Sequence, residues 1–235
     1  MRTVTPAETR TVDRGHGYAL ADYLGDHGDT AAGPQAYLVR QGTAELGAHF
    51  HEVDQFQVVV GGAGTLGREA VGRGVLHYAD AYTSYGPIRT DPAVGLEYVT
   101  LRLEPTTGIN PMPQEREKRR AAGGGGEHFT CALDPTAEPG TRARELARTR
   151  RGARALAMRL PAGAAAEADG LPATGRGYAV VIAGALRDGD RVLPAGSVVA
   201  LDRPAELGGL VADDATGAEL AVCLFPEAGG GAPAL

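Results

Sequence analysis

Two histidines two residues apart open the chemical reading of this chain. In Ala48-His49-Phe50-His51 an extended backbone points residues i and i+2 to one face, so His49 and His51 project together and Phe50 projects away. Imidazole nitrogen is the common ligand of divalent transition metals, and two on one strand face make a rigid half-site. Gln55 follows His51 by four residues across Glu52-Val53-Asp54, where a tight turn returns its amide toward the same place. His77 is a further candidate ligand. Gln57 alternates with Gln55 toward the same cavity, and Tyr82 and Tyr85, with Tyr78, offer phenols to orient a substrate. Plainer alternatives stay open at this point: a histidine pair hydrogen-bonded inside a barrel, a strand histidine at 77, a buried amide at 55, and tyrosines filling a core. Glu52 and Asp54 fall in the turn and read as solvated, which leaves no clear general base.

The elements that must position these groups read as short strands. Tyr37–Arg40, Ala48–His51, Gln55–Val60, Gly74–Tyr78 and Leu96–Leu103 are rich in β-branched or aromatic residues and are separated by Gly, Pro or Asp. The same texture returns at Leu156–Leu160, Tyr178–Ile182, Arg191–Leu193, Val198–Leu201 and Glu219–Phe225. Phe56-Gln57-Val58-Val59-Val60-Gly61-Gly62 runs parallel to Tyr178-Ala179-Val180-Val181-Ile182-Ala183-Gly184, an aromatic opening a Val-rich strand that ends at Gly. The expectation is an all-β chain of two jelly-roll lobes with an internal duplication. Its divisions are an irregular arm over 1–35, a first lobe over 36–104, a linker over 105–152, a second lobe over 153–226 and a flexible Gly/Ala/Pro tail over 227–235. Within the linker, Gln114–Arg120 suits two helical turns and Gly123–Gly126 reads as a spacer. The arginines at 142–151 read as a solvated basic loop or an anion patch.

The spacing His49-x-His51-x3-Gln55-x6-Gly62 resembles the first motif of the cupin superfamily, and the duplicated strand texture extends the resemblance to a two-lobed bicupin. The match covers roughly residues 37–103, with a weaker echo over 155–225. It implies double-stranded β-helix barrels and one divalent transition metal, whether Fe, Mn, Ni, Zn or Cu, held by His49, His51, Gln55 and His77. Three departures stand out. Gln55 replaces a Glu, Gly42 is displaced by one from the glycine that usually precedes the motif, and the second motif lacks its histidine. That motif's counterpart is Ala79–Ile88, and its ligand position falls near Arg89 and Thr90. In the second lobe the positions matching His49 and His51 lie near Ala165 and Glu167, so that lobe is expected to hold no metal.

Composition narrows the function. The 235 residues carry a formal charge of −6, which argues against a general nucleic-acid binder. No apolar run approaches a membrane span and no signal-peptide segment leads the chain, so a cytoplasmic protein is expected, as a monomer or homodimer. Two cysteines allow at most one bridge. Within these bounds the cupin resemblance implies one of two functions: a mononuclear metal-dependent enzyme of dioxygenase or Lewis-acid type acting on a small oxygenated, anionic metabolite, or a non-catalytic small-molecule-binding bicupin with a vestigial metal site.

Overall fold

The computed structural model describes residues 1–29, 33–43, 45–106, 108–167 and 170–227. The expected tail lies outside the described residues from 228 onward. The chain forms two compact units, Thr9–Thr130 and Met1–Glu8 with Cys131–Leu235. Each is an antiparallel β structure, as the strand texture implied.

In the Thr9–Thr130 unit the central strand is Gln55–Leu66. It pairs on one side with Val75–Ala79 and on the other with Leu96–Arg102. Outward from there follow Gln35–Gln41, Tyr18–Leu24 and Thr11–Gly15. Period-two alternation turns Tyr37, Val39, Val59 and Tyr98 to the interior, where they pack with Tyr85, Ile88 and Leu96. In the other unit Gly177–Asp188 is central, between Val198–Leu201 and Ala218–Leu224. Arg154–Leu160 and Arg144–Arg148 extend that sheet, and its core is Leu, Val, Ala and Met throughout.

The duplication is visible residue by residue. Phe56 and Tyr178 are each the second residue of a 12-residue strand. Six residues on, Gly62 and Gly184 take φ of +72° and +67°, beside register shifts in the ladder. A Cβ on either would stand 2.1 Å from a partner carbonyl oxygen, so both positions require glycine.

Three expectations are corrected here. Residues 1–35 are not one irregular arm: Arg2–Val4 pairs with Val198–Ala200, while Thr11–Gly15 and Tyr18–Leu24 form a hairpin in the other unit. Thr11–Gly15 is a polar, exposed edge strand and Arg2–Val4 an edge strand of three residues, so neither carries enough apolar alternation to announce itself. The 105–152 segment is not an idle linker, because Asn110–Pro111 pairs with His49–Phe50, His128–Ala132 lies beside Val75–Ala79, and Arg144–Arg148 joins a sheet. Among its described residues, Arg116–Ala121 is helical. Gly123–Gly126 is not a free spacer either: Gly126 N–H donates to Thr83 Oγ1 at 2.7 Å, and a Cβ there would stand 2.1 Å from Asp80 Oδ2. Gly125 and Gly126 lie against the Asp80–Thr83 turn, while Gly123 and Gly124 meet open space and take left-handed φ of +86° and +85°. The arginines at 142–151 are largely solvated, with Arg142 paired to Glu167 and Arg148 to Glu145.

Candidate functional site

His49 and Phe50 form a two-residue strand held on both edges. Asn110–Pro111 pairs on one side, and on the other His49 and Tyr85 exchange backbone hydrogen bonds of 3.1 and 3.0 Å. Phe50 is fully buried and faces Tyr82, with ring centroids 5.8 Å apart. The two imidazoles turn the other way, their rings 5.3 Å apart and edge-to-face. They share a wall of a cavity of about 670 Å³, within the range of small-molecule sites. Tyr18, Leu20, Tyr37, Val39, Leu46 and Tyr98 line its apolar side, and Gln55, Gln57, Thr100 and Arg102 its polar side. Arg14 and Arg102 are in the lining, and no carboxylate is among the described lining residues.

The hydrogen bonds fix donor directions. His49 Nδ1 lies 2.8 Å from Gly47 O, a carbonyl that only accepts, so Nδ1 carries the proton and Nε2 keeps its lone pair. Tyr85 Oη stands 3.2 Å from that Nε2 and accepts from Gln55 Nε2 at 2.7 Å. Gln55 Oε1 accepts from Arg102 Nε at 2.8 Å. Arg102 Nη2 in turn reaches the His51 ring, 3.2 Å from Nδ1 and 3.5 Å from Nε2. One chain of hydrogen bonds thus runs Gly47–His49–Tyr85–Gln55–Arg102–His51. Burial first, then the Arg102 charge, holds the His51 pKa well below the usual imidazole range. Burial and Arg102 lower that of His49 against the opposing Gly47 bond. Both imidazoles are therefore neutral, as metal ligands must be. Burial pushes the Tyr85 phenol up, which keeps it a proton donor to His49.

The expected residues do not all converge. His49, His51, Gln55 and Gln57 lie on the cavity. Tyr85 joins them through its hydroxyl but is not in the lining, and Tyr82 packs on the far side of Phe50. His77 is also off the cavity wall: Tyr85 stands between, its ring 4.7 Å from both His49 and His77. Arg89 and Thr90 are not at the site, since they pair with Thr65 and Gly64 and Arg89 bonds Glu45 on the surface. The third corner beside the imidazoles belongs to Tyr85 instead. Asp54 accepts from Ala81 N–H at 2.8 Å, and Glu52 pairs with Lys118, so neither faces the cavity wall. Arg102 was missed, although period two places it on the same face as Tyr98 and Thr100.

In kind, these donors fit a divalent metal with open coordination positions: two neutral imidazoles, one with its tautomer set by Gly47. Each donor is also held by the protein itself, His49 by Tyr85, and His51 and the Gln55 oxygen by Arg102. Gln55 presents its NH2 group, which cannot ligate, to the His49–Tyr85 pair.

The second barrel carries different residues in the same frame. Aligned through the Phe56 and Tyr178 pairings, Gln55 becomes Gly177, Gln57 becomes Ala179, Thr100 becomes Val222 and Arg102 becomes Leu224. His77 becomes Val199, and the His49–Tyr85 bridge becomes Ala165–Val211. Ala179, Val199, Val222 and Leu224 are buried in one apolar cluster.

No protein-family profile matches the chain, and no curated protein does. Solved structures do. A bacterial pirin from Escherichia coli in complex with nickel(II) superposes with a TM-score of 0.61 at 12% identity, covering 97% of this chain and 99% of that one. Oxalate decarboxylase of Bacillus subtilis, described for its Mn(II) centres, gives 0.59 at 9% identity over 97% of this chain and 78% of that one. AerE from Microcystis aeruginosa gives 0.55 at 11% identity over 95% and 98%. The chain therefore shares the fold of these structures, with an antiparallel jelly-roll barrel in each of its two units.

Proposed function

We propose that the Thr9–Thr130 barrel binds a small oxygenated anion in its cavity and that His49 and His51 hold a divalent metal beside it, as in a mononuclear enzyme of dioxygenase or Lewis-acid type. The observation that carries this is the contrast between the barrels. Gln55, Gln57, Thr100 and Arg102 have glycine or apolar counterparts at the same register in the second barrel, and the His49–Tyr85 bridge has Ala165–Val211, so the fold does not need these polar groups. Arg14 and Arg102 without a lining carboxylate favour a negatively charged ligand. The nickel(II) of the pirin and the Mn(II) of the decarboxylase support a divalent metal without choosing one. A bound metal would polarise a ligand oxygen or support oxygen chemistry. The chain's own residues would fix the imidazole tautomer through Gly47, place Tyr85 O–H beside His49, and exclude water with the tyrosine-lined wall.

A second reading, a metal-free binding module with a vestigial site, is favoured by one feature: Arg102 and Tyr85 satisfy the donors of His49, His51 and Gln55. Metal content separates the two. Wild-type protein expressed with metals should hold about one transition metal per chain by plasma mass spectrometry, and the His49→Ala/His51→Ala variant should hold none while melting cooperatively. Equal metal content in both proteins would place the ion elsewhere and remove the enzyme reading.

A further inference from the structure

Arg102 is 1% exposed, a position in which an arginine is rarely kept without a task. It ends the Leu96–Arg102 strand, one residue beyond the Leu101–Phe56 pair, beside Gln55. Gln35 Oε1 at 3.3 Å and Thr106 O at 3.2 Å hold Nη1, and the Tyr37 ring lies 5.4 Å from the guanidinium carbon. The fork is thus anchored from behind and its other two nitrogens face the site. They reach Gln55 Oε1 and the His51 ring.

We propose that Arg102 is an internal competitor for metal, holding with its guanidinium the two donor groups, the Gln55 oxygen and a His51 ring nitrogen, that a cation at this site would use. The inference rests on the reading that His49 and His51 can hold a metal, and adds what sets its affinity. Two effects act in the same direction. A fixed positive charge beside the imidazoles repels a second cation. The bond to Gln55 Oε1 also fixes the amide so that its NH2, which has no lone pair to give, faces His49 and Tyr85. A glutamine suits this arrangement, because it accepts from arginine while leaving the positive charge of the cavity in place for an anionic ligand. Metal affinity in the wild type is accordingly lower than the same donors would give without the guanidinium.

Nickel(II) binding by equilibrium dialysis tests this on the full chain, with circular dichroism and melting curves to confirm folding. Arg102→Met should bind nickel(II) about tenfold tighter than wild type or more, the scale on which groups just outside a metal's ligands act. Arg102→Lys, which keeps the charge but loses the fork, should fall between. Adding His49→Ala/His51→Ala to Arg102→Met should abolish the gain. A purely structural role for Arg102 predicts weaker binding together with lower stability, not tighter binding. Nickel(II) affinity in Arg102→Met no higher than wild type overturns the proposal, as does a gain that survives loss of both histidines. If Arg102→Met does not fold, Arg102→Lys decides: tighter than wild type supports the proposal, equal or weaker overturns it. Nickel(II) lost from the wild type on removing the histidines, with no gain in either Arg102 variant, sinks the competitor role and leaves the metal reading standing.

Discussion

His77 is 4% exposed, with Nδ1 3.3 Å from Thr130 Oγ1 and a buried Nε2 that has no hydrogen-bond partner. Burial, followed by the His128 and His49 charges, pulls its pKa down to about 3 against a bond to the Phe129 backbone. In the unfolded chain the same group titrates near ~6.5. Between those values the unfolded state binds the extra proton and the folded state does not. Stability is therefore complete above about 6.5 and falls as pH drops toward about 3, by on the order of a few kcal/mol from this group. His49 and His51, both lowered, act in the same direction. His77→Leu removes the titrating group and the unpaired nitrogen together. Its melting temperature should stay near wild type at pH 7.5 and exceed wild type at pH 4.5. A variant that loses stability with acid as steeply as wild type would show that His77 does not carry the effect.

Gly125 and Gly126 lie against the turn that precedes Tyr85, and that turn is wired to them. Glu127 N–H donates to Asp80 Oδ2 at 2.8 Å, and Tyr78 O–H donates to Asp80 Oδ1 at 2.7 Å. Arg119 from the short helix reaches Tyr82 O at 2.9 Å, and Lys118 bonds Asn110 Oδ1 at 2.8 Å. What looks like a linker in sequence therefore braces the segment that carries Tyr85 to His49. Gly126→Ala puts a methyl group on Asp80 Oδ2 and should cost about 1–3 kcal/mol in urea unfolding. Gly140→Ala meets open space without a left-handed φ and should stay within about 0.5 kcal/mol. Equal, small effects at both positions would mean that the glycine segment is not seated as described.

Across the whole molecule, what could be read from sequence was what repeats with a short period. The strand texture, the Phe56 and Tyr178 alignment and the His49-x-His51 face all follow from alternation, and each has its counterpart in the structure. The Arg102 site was open to the same rule, since Tyr98, Thr100 and Arg102 alternate, but a charged residue at a strand end reads as surface. Tyr85 was legible as a candidate phenol, but its bonds to His49 and Gln55, like the seating of Gly126, depend on contacts between distant segments, which no local pattern encodes. The same holds for the first eight residues. Arg2–Val4 pairs with Val198–Ala200, with Val4 buried, Glu8 bonded to Arg191 and the terminal amine 3.3 Å from Glu206. These residues cover the open edge of the Val198–Leu201 strand in a unit whose remaining chain begins at Cys131. Deleting Met1–Glu8 removes that ladder, one buried valine and the ion pairs, and should cost about 2 kcal/mol in the Cys131–Leu235 unit. None of the cavity-lining residues is touched by the deletion, so nickel(II) binding at His49 and His51 should match that of the full chain. Hydrogen exchange gives the check. Amides of Val198–Leu201 should lose protection while those of Gln55–Val60 keep theirs, because edge exposure acts on the strand it uncovers. Uniform loss across both units, or none at Val198–Leu201, would contradict the placement of the first strand.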